Sequence, residues 1–266
     1  RLSEALRAQC PPALGARLAC RSYEWLVRQR RLPPGTWLFA DIERLTVAQA
    51  EHMAQVHATI VEAGWPALNH PTRSRGRYEL LRMLHGHGVN PFDAYLASEH
   101  RVPQRWPVFV RRAVEHSGAD TDLLPDPPAL AAALAAQDAA GIARTDTLVV
   151  EFCPTADAGG TYRKYGAYCV GGQIIPRHVL CSRQWEVKNA ASEPAAADIA
   201  LETAYVRDNP HQQALRDIFA LARIEYGRVD YALRDGRPVV FEINTHPAHA
   251  LVPAGVGHAQ RQAARD

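Results

Sequence analysis

The chain is poor in lysine: Lys164 and Lys188 are the only two among 30 basic residues, the rest being arginine. It has no run near the roughly 18 uninterrupted apolar residues of a membrane-spanning helix, and Arg1 to Gln9 lack the apolar stretch of a signal peptide. An excess of one charge is missing too, since 30 basic face 28 acidic side chains, well mixed along the chain. That balance argues against a polybasic nucleic-acid binder and against a charged tail, and leaves recognition on the scale of a small substrate. The five cysteines, Cys10, Cys20, Cys153, Cys169 and Cys181, form no CxxC pair, so neither a disulfide framework nor a zinc knuckle is expected. The expectation is a soluble, cytoplasmic protein with reduced and mostly buried thiols, without a membrane or nucleic-acid partner.

What is present suffices for a real core: 266 residues, 47% hydrophobic and 22% charged. Hydrophobic periodicity predicts an N-terminal strand at 36–40, a helix begun by the capping box Thr46-Val47-Ala48-Gln49, and a short strand at 65–68. Further on it predicts a helix at 77–85, strands at 106–111 and 147–152, an alanine-rich helix at 128–140, and a hairpin of 162–170 with 173–181 through Gly171-Gly172. Helices at about 194–207 and 211–224 lead to a last hairpin, 227–233 with 238–244. The order is mixed α+β with short connections.

The last hairpin carries the chemistry. Side chains alternate along a strand, so Arg228 and Asp230 share one face, as do Glu242 and Asn244. Whether the two faces coincide depends on the turn. Asp235-Gly236 has the form of a two-residue type I′ turn, which puts the acids on opposite faces, whereas a three-residue loop with Gly236 left-handed and bulged puts them on the same one. The odd loop is expected, because the alternative buries Asp230 or Glu242 without a partner. Two carboxylates, an amide oxygen and a guanidinium then converge, the hard-oxygen set that suits Mg²⁺ held together with substrate phosphates. Arg228 beside them would stabilise charge developing on a transferred phosphoryl group or a tetrahedral intermediate. Paired acids on a hairpin are also often just solvated.

The sequence Arg228-Val229-Asp230, a hairpin, then Phe241-Glu242-Ile243-Asn244 with Pro247 shortly after, resembles the metal-binding hairpin of the ATP-grasp superfamily. It is most similar to the branch with D-alanine–D-alanine ligase, glutathione synthetase and the ligase that adds glutamate to a ribosomal protein. The resemblance implies an α+β ATP-grasp fold: an abbreviated pre-grasp α/β domain at 1–72, a small central subdomain at 73–152, and a C-terminal subdomain with an antiparallel sheet at 153–266. It implies that Asp230, Glu242 and Asn244 bind two Mg²⁺ ions bridging the phosphates of ATP, with Arg228 catalytic. The strand ending at Arg111 resembles the one whose terminal lysine touches those phosphates, and Glu151-Phe152 resembles the hinge that pairs with adenine, with Asp157 a ribose contact. Arg163, Lys164, Arg177 and Lys188 lie where the family places further phosphate-binding cations. His246 and His249 follow the metal motif where the family recognises its acceptor.

The implied reaction is ATP- and Mg-dependent ligation of a small-molecule or peptide carboxylate to an amine through an acyl phosphate. The alternatives are an ATP-grasp kinase acting on a small molecule and a non-catalytic nucleotide-binding or interaction protein. Two departures bear on them: arginine stands for lysine at Arg111, and the phosphate-covering loop shrinks to His116-Ser117-Gly118. The Arg73, Arg75, Arg77 cluster is expected to be a solvated helix start, and Cys153 a packing residue.

Overall fold

The computed structural model of the protein describes residues 12–115, 118–188 and 195–247. Two short helices, α1 (Pro12–Gly15) and α2 (Tyr23–Val27), precede β1 (Trp37–Leu38), α3 (Val47–Glu62) and β2 (Ala67–Leu68). β1 and β2 pair in parallel, as a strand–helix–strand unit requires. The expected capping box starts α3: the Gln49 N–H donates to Thr46 Oγ1 at 3.3 Å, and the Thr46 N–H to Gln49 Oε1 at 2.9 Å. Met53 and Ile60 of α3 close a small core with Leu26, Phe39 and Ile42.

The next sheet is antiparallel, in the order β3 (Ala94–Leu96), β5 (Thr147–Glu151), β4 (Val108–Arg112). Val108, Val110 and Val149 pack on Leu130 of α5 (Pro127–Ala139), while Leu148 and Val150 pack on the opposite face with Leu81 of α4 (Arg77–Gly86). The three-residue strand β3 was not foreseen. It lies in 92–96 without a visible period, and pairing with β5 defines it. A four-stranded antiparallel sheet follows, in the order β7 (Gln173–Ser182), β6 (Tyr162–Val170), β8 (Tyr226–Arg234), β9 (Arg237–Asn244). Helices α6 (Ala196–Asp208) and α7 (Gln212–Ala222) cover it through Tyr205, Leu215, Ile218 and Phe219. Each edge strand carries a proline, Pro176 in β7 and Pro238 in β9. Among the described residues no helix is long and apolar enough to cross a membrane.

The strands of the three sheets come from successive stretches of chain, but α4 serves two of them. Leu80 and Leu84 enter the core of the four-stranded sheet, and Leu81 enters that of the three-stranded one. Two asparagines then join the parts. Asn69 has no exposed surface and is left-handed at φ 63°. Its amide donates to Phe39 O and Tyr226 O at 3.0 and 2.8 Å and accepts from the Glu225 and Tyr226 N–H groups, both at 2.9 Å. Asn90 treats the open edge of β9 like a strand partner, giving and taking one hydrogen bond of 2.9 Å each with the backbone of Val240.

Replacing Asn69 removes four hydrogen bonds to buried and part-buried backbone groups and a side chain suited to positive φ. Asn69→Ala is therefore expected to lower the free energy of unfolding by about 3 kcal/mol in urea titrations. A loss below about 1 kcal/mol would show that those groups find other partners.

Candidate functional site

Strands β8 and β9 place Asp230 opposite Glu242, and Arg228 opposite Asn244. The connection is not the expected odd loop. Arg234 pairs with Arg237 around a two-residue turn, Asp235-Gly236, with φ 51° and 75°, the left-handed pair a type I′ turn demands. The parity is corrected further along instead. Tyr231 pairs with Val240 while Asp230 pairs with Glu242, so Phe241 is an extra residue and the ladder carries a β-bulge. The bulge also lets Phe241 and Glu242, adjacent in sequence, line the same cavity.

The acids are not solvated. Glu242 Oε2 accepts from Arg77 Nη2 at 2.7 Å and from Arg111 Nη2 at 3.0 Å, and Oε1 accepts from Asn244 Nδ2 at 3.2 Å. Asp230 accepts from Arg228 Nε at 2.8 Å on Oδ1 and faces Lys164 Nζ at 3.7 Å on Oδ2. Lys164 reaches it because Gly166, two residues on along β6, sits opposite Asp230. Four cations thus surround two carboxylates, a formal excess of two positive charges. Burial raises the Glu242 carboxyl, but the charges of Arg111 and Arg77, with the Asn244 amide, overcome this and hold it far below the usual range. At Asp230 burial prevails over Arg228 and Lys164, helped by the charge of Glu242, and the carboxyl stands above its usual value.

Asp230, Glu242, Asn244, Arg111, Arg228 and Lys164, but not Arg77, line a cavity of about 490 Å³ between the two antiparallel sheets. In the same lining Trp185 packs against Phe109 and Phe152, with ring centroids 4.9 and 5.9 Å apart. Of the sequence-derived candidates, Arg111, Glu151, Phe152, Arg163, Lys164, Lys188, Arg228, Asp230, Glu242, Asn244 and His246 all line this cavity. Arg177 and Asp157 do not. The Asp157 carboxylate is turned into its own loop, accepting from the Gly159 and Thr161 N–H groups at 2.9 Å and from Arg163. Nor is the Glu151 carboxylate presented for binding. It accepts from Tyr95 OH and from the backbone N–H groups of Asp93, Gln104 and Arg105 at 2.8–3.1 Å, which fixes the approach to β4. Lys188 is half-exposed and pairs with Glu186 at 3.1 Å. Gly118, at φ 98°, lies so close that a Cβ there would run into Glu186 Oε1 and Lys188 Cε. His246 is exposed, and His249, like His116 and Ser117, lies outside the described residues.

Arg77 corrects the expectation of a solvated helix start. It is 8% exposed, and its Nη1 donates to the carbonyls of Arg112, Ala113 and Glu115 at 2.7–3.1 Å while Nη2 holds Glu242. The signal lay in the helix pattern, where Arg77 falls on the same face as Leu81 and Leu84. Phe109 was legible as the strand neighbour of Arg111 at period two, but Trp185, on a non-periodic stretch, was not.

The residues suit a divalent cation. Asn244 Oδ1 is buried without a hydrogen-bond partner among the described residues, and Glu242 Oε1 has only the Asn244 amide. Among the described residues no three His, Cys, Asp or Glu gather as a metal cluster, so the donor set is two carboxylates and an amide, all hard oxygens.

No family model matches the chain, and no curated protein matches it in sequence. Solved ATP-grasp ligases are among the structures it is similar to. D-alanine–D-alanine ligase from Bacillus anthracis superposes with a TM-score of 0.45 at 16% identity, covering 79% of this chain and 73% of that one. The ATP-grasp ligase PsnB, complexed with a minimal precursor, gives 0.47 at 15% identity over 82% and 69%. L-amino acid ligase from Bacillus licheniformis gives 0.43 at 14% identity, and this chain spans 49% of its length.

Because Glu242 is held below its unfolded value, its ionised form stabilises the fold above about pH 4.3, and that contribution is lost as the pH falls toward the depressed value. Glu242→Gln is expected to cost about 3 kcal/mol at pH 7, with the gap from the parent protein narrowing on acidification below about pH 4.3. A gap constant from neutral to acid pH in urea unfolding would remove the arginine pair as its cause.

Proposed function

We propose that the chain is an ATP-grasp enzyme that joins a carboxylate to an amine with cleavage of ATP to ADP and phosphate. The observation that carries this reading is the build of one cavity. An aromatic cluster, an opposed acid pair and several cations line it together. Phe109, Phe152 and Trp185 offer flat apolar faces to a purine, and Lys164, Arg163, Arg111 and Arg228 offer positive charge to a polyphosphate. Asp230, Glu242 and Asn244 would hold Mg²⁺, which when bound neutralises phosphate charge; two ions fit the family resemblance.

Within that reading, the substrate carboxylate attacks the γ-phosphorus, ADP leaves, and the amine then displaces phosphate from the acyl carbon. The protein's part is positioning and charge neutralisation, not a covalent nucleophile. Three of the four described thiols, Cys153, Cys169 and Cys181, are buried, burial raises the thiol of Cys153, and the exposed Cys20 is not among the cavity residues. Arg228 reaches the cavity from beside Asp230, where it would stabilise the charge of the transferring phosphoryl group. Arg111 stands where the resemblance has lysine. Because it already grips Glu242, it would bind phosphate while fixing the acid's orientation. His246, exposed on the cavity wall and two residues past Asn244 in sequence, would meet the acceptor.

Calorimetric titration of Mg-ATP tests the nucleotide site. Binding is expected in the parent protein, weaker by about tenfold or more in Trp185→Ala and in Glu242→Gln, and lost on chelation of the metal. No binding by the folded parent protein would move the assignment to a non-catalytic module. The reaction is tested by supplying carboxylates with hydroxylamine in place of the amine. Hydroxamate formed together with ADP supports the ligase, whereas a stable phosphorylated product that hydroxylamine does not intercept makes the chain a kinase.

A further inference from the structure

A second cavity, of about 660 Å³, shares no lining residue with the first. It lies between α3, the segment after β2, the end of α7 and the β6–β7 turn. Its inner surface is apolar, with Cys169, Phe219 and Ile224 buried there, and its exposed rim carries Arg73, Arg216 and Arg223.

The three arginines have no carboxylate within ion-pair distance among the described residues. The one acid in the lining, Glu225, is engaged elsewhere, its Oε2 accepting from the Asn69 N–H at 2.7 Å. Two histidines, His57 and His70, lie on one side with ring centroids 4.6 Å apart and planes tilted by 52°. Burial lowers both, so at neutral pH the charge of the rim belongs to the arginines, three positive against one negative.

The rim is also held in place before any ligand arrives. Ser74 Oγ lies 3.0 Å from both His70 O and Arg223 O and shares its one proton between them, and the Arg75 N–H donates to Ala222 O at 3.0 Å. These bonds tie the segment bearing Arg73 to the one bearing Arg223. Arg216 Nε donates to Gly172 O at 3.2 Å, which fixes the guanidinium over the β6–β7 turn. The C-terminal carbonyls of α7 already have a cation, since Arg75 Nε donates to Leu221 O at 3.3 Å, so Arg73 and Arg223 are not needed to neutralise the helix end.

We propose that this cavity binds a phosphate monoester with an apolar body, its dianion held by Arg73, Arg216 and Arg223 and its body on Phe219 and Ile224. The excess of two positive charges matches a dianion. Several guanidinium forks suit the three oxygens of a phosphate, whereas one fork already saturates a carboxylate. The site is independent of the nucleotide reading of the first cavity and stands or falls alone.

The probe is phenyl phosphate, titrated calorimetrically into the full chain, with inorganic phosphate and benzoate in parallel. One molecule per chain is expected to bind, more tightly than either parallel probe. Binding should weaken about tenfold or more in the double variant Arg73→Ala, Arg223→Asn and remain in Lys164→Met, which alters only the first cavity. Asparagine at position 223 keeps the left-handed backbone that Arg223 adopts at φ 55°, and Arg216→Gln, on the helix surface, gives a second variant should the double one unfold on heating earlier than the parent. Absence of saturable binding overturns the proposal. So does loss of binding in Lys164→Met with retention in the arginine variants, which assigns the probe to the first cavity. Benzoate binding as tightly as phenyl phosphate would overturn the phosphate assignment.

Discussion

The extra residue in β9 determines where every side chain past it points. A strand alternates with period two, and a tight type I′ turn alone would set Glu242 and Asn244 on the face opposite Asp230 and Arg228. With Phe241 inserted, both polar pairs face one cavity and Val239 and Val240 stay in the apolar cores. The hydrogen bonds of Asn90 to the backbone of Val240 lie right beside that insertion and satisfy an edge that would otherwise be open. The facing of the acid pair, and so the grip of the arginines on it, depends on this local irregularity.

Once the acids face inward, their ionisation sets the rest of the electrostatics. Two opposed carboxylates in a half-closed cavity repel each other, and the protein answers with cations drawn from α4, β4, β6 and β8. The result is asymmetric. Glu242, between two arginines, is strongly ionised, while Asp230 is the readier of the two to take a proton. Arg77 links this pair to the carbonyls at the end of β4, so the orientation of the acids and the course of the chain leaving that strand are fixed by one side chain.

Much of this was legible in the sequence, and the parts that were not share a cause. The hairpins, the capped helix α3 and the shared faces of Arg228 with Asp230 and of Glu242 with Asn244 follow from periods of two and 3.6 and from local turn chemistry, whereas the other cavity candidates came from the family resemblance. β3 was missed because three residues are too few to show a period. The location of the bulge was missed because nothing local marks it; the expectation put the irregularity in the turn, where Gly236 permits it, while the contacts of Asn90 are with residues 150 positions away. Arg77 and Asp157 were misplaced for opposite reasons. A lone arginine was read as surface although it sat on an apolar helical face, and a loop aspartate was read as a ligand contact although Gly159 and Thr161 were near enough in sequence to claim its oxygens.

The prolines in the two edge strands bear on how copies of the chain can meet. Among the described residues β7 and β9 are the edges of the four-stranded sheet, and Pro176 and Pro238 each take one N–H out of those margins. Asn90 takes both polar groups of Val240 from the β9 side. At these positions the margins of the sheet offer no backbone donor to a further strand, which disfavours its growth by strand addition.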